Sequence, residues 1–288
     1  MVTIKSVLEQ GTQTLAQAGQ QHARLDAQVL LSHALGVERS TLYAYPEREM
    51  TIEQEQSFLR LIERRKYGEP VAYLVGHKEF YSLDFFVDKR VLIPRPETEL
   101  LVDAALGAIR HKLDAGQVPI VADIGTGSGA IPITISVEEP RLPYLYACDI
   151  SPDALDVAHL NCQRHHVEAR VRLLQGDLLA PLPEPVDVLT ANLPYVGTDE
   201  MALLAPDVCA YEPHQALFSG PQGLDLLQRF CQDAQRKNLL KAEAVMLLEI
   251  GYLQSKPLIQ FIHELWPQAT ISCQKDYAGW DRLLKIIV

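Results

Sequence analysis

Apolar side chains in the first part of the chain recur at helical spacing. Ile4, Val7, Leu8, Leu15 and Ala18 fall near a 3.6-residue period. Leu25, Val29, Leu30 and Ala34 define a second helix from His22 to Leu35, with Gly36 as its left-handed stop. Thr51 and Gln54 form a capping-box pair that opens a third helix through Phe58, Leu59 and Ile62. Gly68-Glu69-Pro70 then breaks the pattern.

From Phe80 the period shortens. Phe85-Phe86-Val87 and Val91-Leu92-Ile93 read as extended segments, and the polar Asp88-Lys89-Arg90 between them predicts a hairpin. Pro94 and Pro96 bias Ile93 and Arg95 away from helix, which marks a linker. Helical spacing returns from Thr98 to Arg110. Beyond Val118, short apolar runs alternate with helical stretches. The strand candidates are Ile120–Ile124, Tyr144–Cys148, Val171–Leu174, Val186–Thr190, Val245–Ile250, Ala269–Ser272 and Leu283–Val288. Helices fit between most of them, including Pro152–His165 and Leu224–Leu240. That alternation predicts an α/β fold with a mainly parallel sheet covered on both faces.

Composition narrows the class without changing this outline. With 288 residues, 48% hydrophobic and 22% charged, the chain is ordinary globular material for one large or two modest domains. No apolar run is long enough for a membrane span, and the N-terminus lacks a leader pattern, so a cytoplasmic protein is expected. Cys148, Cys162, Cys209, Cys231 and Cys273 are scattered in apolar stretches and predict reduced, core-filling thiols. No histidine or cysteine spacing suggests a metal site. His165-His166 reads as a solvated pair at a helix end. The net charge of −11 is concentrated after Asp84 and lowers the prospect of a nucleic-acid partner.

Chemistry enters with Val121-Ala122-Asp123-Ile124-Gly125-Thr126-Gly127-Ser128-Gly129. A strand ends, glycines permit a tight turn and close approach to a ligand, and a helix begins near Ala130. Dinucleotide folds carry G-x-G-x-x-G here. In this chain the third glycine comes one residue early and the acid Asp123 precedes the loop. The segment resembles the S-adenosylmethionine loop of Rossmann-like methyltransferases, although the loop alone leaves a nicotinamide oxidoreductase open. Asp149 ends the next strand about 20 residues on, where an acid accepts from ribose hydroxyls. Ser151 is better placed to cap the helix at Pro152, which leaves Asp149 for the ribose. Gln175-Gly176-Asp177-Leu178 follows the third strand. In similar methyltransferases this acid accepts from the adenine amino group, and the next side chain flanks the ring.

Asn192-Leu193-Pro194-Tyr195 is the most discriminating element. It places a side-chain amide at the carboxyl end of a parallel strand. The tetrapeptide resembles the N-P-P-Y motif of enzymes that methylate the exocyclic nitrogen of adenine or the amide nitrogen of glutamine. Both groups are planar NH₂ groups with a delocalised lone pair, hence poor nucleophiles. Acceptors on both N–H bonds would raise electron density at nitrogen and aim it. The Asn192 side-chain carbonyl and the Leu193 backbone carbonyl are the candidates, and Tyr195 offers a ring face to a planar substrate.

Taken together the chain resembles the release factor glutamine methyltransferase family over nearly its whole length. The resemblance rests on Gly68-Glu69-Pro70 through Gly76, Glu79-Phe80-Tyr81 and Leu92-Ile93-Pro94-Arg95-Pro96-Glu97-Thr98-Glu99. Tyr211-Glu212-Pro213, Ala216-Leu217, Asp276-Tyr277 and Asp281-Arg282 extend it. It implies a small all-helical, substrate-recognising domain over 1–79, a β-hairpin linker over 80–97 and a Rossmann-like class I methyltransferase domain over 98–288. The implied cofactor is S-adenosylmethionine, leaving as S-adenosylhomocysteine. Its contacts would be Asp123, Gly125, Thr126, Gly127, Ser128, Gly129, Asp149, Asp177, Leu178 and Asn192. Catalysis and substrate binding would fall to Asn192, Leu193, Pro194 and Tyr195. The implied substrate is the glutamine of the Gly-Gly-Gln loop of class 1 peptide chain release factors. A monomer without direct nucleic-acid contact is expected, with an adenine-N6 nucleic-acid methyltransferase as the alternative. Leu193 stands where the commonest motif has proline, and Leu178 where some members have an aromatic residue.

Overall fold

A computed structural model of the chain describes residues 2–288, without the Leu203 side chain. No helix among the described residues is long and apolar enough to cross a membrane. The chain divides into two compact units. One runs to His77 and takes in Ala205–Tyr211; the other comprises Lys78–Leu204 and Glu212–Val288.

The first unit is helical: α1 (Ile4–Gln17), α2 (Ala23–Leu35), α3 (Arg39–Ala44), α4 (Ile52–Lys66) and α5 (Val71–Val75). The predicted capping box at Thr51 and Gln54 is present in both directions, and Gly36 closes α2 with φ +64°. Ile4, Val7, Leu15, Leu30, Leu31, Phe58 and Ile62 form its core. Asp26 lies buried in this unit, and Arg65 holds it at 2.8 Å.

A hairpin of β1 (His77–Phe80) and β2 (Leu83–Phe86), in the second unit from Lys78 onward, precedes the main sheet. The sequence pattern puts this hairpin one strand too late. Its turn is Tyr81-Ser82, both residues with positive φ, and Tyr81 is anchored by its N–H to Glu99 and its hydroxyl to Asp103. Val91–Ile93 forms no strand. Asp88 turns the chain by accepting the Arg90 N–H, and the Ile93 N–H goes to the Glu212 carboxylate.

The seven-stranded sheet contains β3 (Val121–Ile124), β4 (Leu145–Asp149), β5 (Val171–Gln175), β6 (Val186–Ala191), β7 (Leu240–Glu249), β8 (Thr270–Lys275) and β9 (Asp281–Ile287). Their order is β5-β4-β3-β6-β7-β9-β8. The first five in this order run parallel, while β9 is antiparallel to β7 and to β8. The helices of this unit are α6 (Glu99–Asp114), α7 (Ala130–Glu138), α8 (Pro152–Arg164), α10 (Asp225–Arg236) and α11 (Ser255–Leu265); α9 (Pro206–Tyr211) belongs to the other. β3 is buried throughout and apolar except for Asp123, as expected of a strand covered on both faces. The chain lays β4 and β5 outward on one side of β3, then returns to place β6 on the other. That switch point is where open α/β sheets bind ligands, beyond the carboxyl ends of the strands.

Two side-chain expectations fail here. His165 is not solvated: its ring packs 5.0 Å from Phe85 and its Nε2 lies 3.0 Å from the Asp84 carbonyl, tying α8 to β2. Burial accordingly lowers its pKa. Cys148, Cys162 and Cys231 are buried as expected, but Cys209 is only partly buried and Cys273 is exposed on the edge strand β8.

Candidate active site

A cavity of about 430 Å³ opens over the carboxyl ends of β3, β4, β5 and β6. Its floor is the glycine loop after β3. The Gly125 and Thr126 N–H groups both donate to the Cys148 carbonyl, at 2.9 and 3.0 Å, which pins the loop against β4. Gly125 has φ +75°, and a Cβ there would stand 3.0 Å from Leu193 Cδ2. The leucine that replaces the motif's usual proline thus packs on the loop, joining two walls of the cavity.

Asp149 ends β4 and binds the loop from the side. Its Oδ2 accepts the Gly127 N–H at 2.8 Å and its Oδ1 the Ser151 N–H at 2.9 Å. Ser151 caps α8 through the Ala154 N–H, as the sequence suggests. Burial raises the Asp149 pKa, and the N–H donors from Ser151, Gly127 and Ile150 oppose the rise. Each carboxylate oxygen keeps acceptor capacity for a ligand hydroxyl. Asp177 and Leu178 also line the cavity, and Asp177 is ion-paired to Arg229 on α10.

Asp123 sits behind the loop rather than on the wall. It is fully buried, and Oδ1 accepts the Thr190 hydroxyl at 2.7 Å. Burial pushes its pKa up to about 7, against the opposing hydrogen bonds from Thr190 and Thr126. The folded state therefore holds the Asp123 proton at pH values where the unfolded chain has lost it. Stability from this group falls as pH rises from the ordinary carboxylate range toward 7, and is flat above that. Asp123→Asn keeps the Thr190 bond. Urea unfolding should show it gaining on wild type between about pH 5 and about pH 8; a pH-independent difference would refute this assignment.

Asn192, immediately after β6, is the polar group of the wall beside the loop. Its Nδ2 donates to Thr98 Oγ1 at 3.1 Å. Thr98 Oγ1 in turn donates to Glu249 Oε2 at 2.7 Å, and the Tyr195 hydroxyl donates to Glu249 Oε1 at 3.2 Å. Glu249 ends β7 and is 1% exposed. Desolvation raises its pKa, opposed by the Thr98 bond, the charge of Arg282 and the Tyr195 bond. The Tyr195 phenol is itself shifted upward by burial and the neighbouring Glu249 charge, so it is held as a donor.

The cavity brings together Gly125, Thr126, Gly127, Ser128, Asp149, Asp177, Leu178, Asn192, Leu193 and Pro194. Asp123, Gly129 and Tyr195 lie outside its wall. Gly129 packs on α7 and α8, where a Cβ would meet Ile133 at 2.8 Å, and Tyr195 packs against the sheet core. Sequence reasoning assigns no site role to Thr98, Glu249, Glu212 or Gln254. Arg95 lines the cavity and pairs with the buried Glu212. Gln254 donates to the Tyr195 carbonyl at 2.7 Å and fixes the end of the tetrapeptide. An isolated acid closing an apolar strand, as in Leu247-Leu248-Glu249, is the one signal that could have exposed this network.

The comparisons with known proteins agree over both units. Residues 6–76 match the PrmC N-terminal domain family and residues 100–210 the methyltransferase small domain family. A release factor glutamine methyltransferase of Moorella thermoacetica is 40% identical over 282 residues, covering 98% of this chain and 97% of its own. Those of Rhodopirellula baltica and Bacillus subtilis are 37% and 35% identical, covering 99% and 100% of this chain and 96% and 99% of theirs. The chain belongs to the release factor glutamine methyltransferase family. Among solved structures, the hMettl16 catalytic domain in complex with the MAT2A 3′UTR hairpin 6 superposes with a TM-score of 0.56 at 14% identity. It covers 78% of this chain and 81% of that one, a likeness of fold alone.

A release factor glutamine methyltransferase is an enzyme whose family and fold imply S-adenosylmethionine as methyl donor. The cavity fits that group. The cradle at Gly125 and Gly127 would take the amino-acid end, Asp149 has acceptor capacity for the ribose, and Ile150, Leu178 and Leu226 give apolar surface for the base. Asp149→Ala removes both a ligand acceptor and the anchor of Gly127. It is expected to weaken S-adenosylmethionine binding by about ten- to a hundredfold, as read by titration calorimetry. Unchanged affinity would show that the ribose lies elsewhere.

Proposed function

We propose that the chain transfers the methyl of S-adenosylmethionine to the side-chain amide nitrogen (N5) of the glutamine in the Gly-Gly-Gln loop of class 1 release factors. It would act in translation termination in the cytoplasm. The observation that carries this reading is the Asn192 amide. It stands on the cavity wall beside the glycine loop, with its Nδ2 donating to Thr98 and its carbonyl oxygen left over.

When bound, S-adenosylmethionine supplies an electrophilic methyl group. The chain's own residues do the rest. Asn192 Oδ1 accepts one substrate N–H and the Leu193 backbone carbonyl the other, which raises electron density at nitrogen and orients it. Pro194 restricts Leu193 to an extended backbone, so that carbonyl keeps its direction despite the loss of a proline at 193. Leu193 and its neighbours exclude water from this end of the cavity. No side chain needs to take the proton beforehand, since nitrogen sheds it readily once alkylated. The helical first unit serves to grip the protein substrate.

Formation of S-adenosylhomocysteine tests the reading. It should accumulate with an unmodified release factor, and not with the same factor carrying glutamate in place of the loop glutamine. Product formation on an adenine-containing oligonucleotide, with none on the release factor, would replace this proposal by base methylation.

A further inference from the structure

The Asn192 amide can do this work in only one of its two flips. With its carbonyl toward the substrate it accepts an N–H; flipped, it would present NH₂ to NH₂. Nothing in the tetrapeptide chooses between them, because both flips occupy the same volume. The choice is made by proton counting in the three-residue chain behind it.

Thr98 has one hydroxyl proton and lies 4% exposed, at the edge of the cavity. Its oxygen is 2.7 Å from Glu249 Oε2 and 3.1 Å from Asn192. The bonds from Thr98 and Tyr195 and the charge of Arg282 favour the ionised form of Glu249 against the desolvation that raises its pKa. As a carboxylate it is an acceptor only. Its second oxygen already accepts the Tyr195 hydroxyl. The Thr98 proton must therefore point to Glu249, and the Thr98 oxygen can only accept from Asn192. That forces Nδ2 onto Thr98 and leaves Oδ1 toward the substrate.

The three segments arrive from remote parts of the chain: Thr98 at the start of α6, Asn192 after β6 and Glu249 at the end of β7. Thr98 makes no capping bond for α6 with its side chain, so the hydroxyl has no local structural duty. A buried carboxyl is costly unless its oxygens are bonded, and here both bonds lead to the tetrapeptide, one directly and one through Thr98.

We infer that Thr98 and Glu249 are positioning residues that lock the Asn192 side chain in the flip presenting its carbonyl oxygen to the substrate amide. The inference rests on the proposed glutamine methylation. Neither residue touches the reacting nitrogen; both act through Asn192.

Thr98→Val is nearly isosteric and puts a methyl in place of the hydroxyl. It should lower kcat on the unmodified release factor by about ten- to a hundredfold, the scale on which misplaced catalytic groups act. The KM for the factor and the calorimetric Kd for S-adenosylmethionine should stay within about threefold of wild type. Thr98→Ser restores the proton and should recover most of kcat, whereas a merely structural role would penalise serine for its lost methyl. Glu249→Gln can donate as well as accept, which frees the flip, so its kcat should also fall while its melting temperature holds. A Thr98→Val enzyme with wild-type kcat, or a Thr98→Ser enzyme as slow as the valine variant, would overturn the inference. Failure of the wild type to methylate the factor at all would instead strike the proposed function.

Discussion

Replacing Asn192 with alanine is expected to lower kcat by about a hundred- to a thousandfold, the usual loss on removing one preorganised polar contact to a reacting group. Affinity for S-adenosylmethionine should change by no more than about threefold, because the loop and Asp149 carry most of the cofactor wall. The split follows from where Asn192 stands. Its nitrogen donates to Thr98, which leaves its carbonyl oxygen for the substrate, and that oxygen matters most as the substrate nitrogen begins to react. Aspartate at 192 should not rescue. It would bring a carboxylate against the Thr98 oxygen, whose proton is already given to Glu249. Single-turnover kinetics with calorimetric binding would separate the two quantities; equal losses in both would contradict the acceptor role.

The second large effect concerns a residue outside the cavity wall. Gly223 has φ +74°, and a Cβ on it would fall 2.0 Å from the Tyr195 carbonyl oxygen and 2.6 Å from Gln254 Nε2. Gln254 is the clamp of this corner. It donates to the Tyr195 and Gln222 carbonyls and accepts the Gly251 N–H. Gly223→Ala must therefore adopt a left-handed backbone and push the tetrapeptide off its clamp. Strain of about 1–2 kcal/mol and at least one lost buried hydrogen bond add to a destabilisation of about 3 kcal/mol. Because the displaced carbonyl belongs to Tyr195, kcat should fall as well, by about tenfold or more. Urea unfolding and product formation on the same preparation check both. A variant that unfolds like wild type would mean that this corner yields freely.

The site was legible in the sequence wherever its chemistry is contiguous. Gly125–Gly129, Asp149 and Asn192–Tyr195 each follow a strand, and an apolar run ending in small or polar residues announces itself at any position. Thr98 and Glu249 were not legible, since their roles depend on a contact across 151 positions of sequence. Glu249 reads locally as the polar end of a strand, and Thr98 as a helix start. Asp123 was placed among the cofactor contacts because it precedes the loop, yet alternation along β3 turns its side chain toward Thr190.

The fold followed the same division. β3, β4 and β6 were found because their apolar runs are largely buried, and β5 from Val171, Leu173 and Leu174 although Arg172 and Gln175 stay exposed. The first half of β7 escaped notice because Lys241 and Glu243 interrupt it, and the preceding helix was drawn through Leu240 when it ends at Arg236. The hairpin was misplaced because Tyr81-Ser82 carries none of the glycine or asparagine that usually marks a left-handed turn. Its conformation is imposed by Glu99 and Asp103, two anchors from α6.

Asn192 is proposed to present an acceptor to a glutamine amide. The most direct test is to incubate the purified chain with S-adenosylmethionine and an unmodified release factor, then map tryptic peptides by mass spectrometry. One added methyl is expected on the Gly-Gly-Gln glutamine, absent with Asn192→Ala. A methyl on any other residue, or on that glutamine with Asn192→Ala at the wild-type rate, would contradict the proposal.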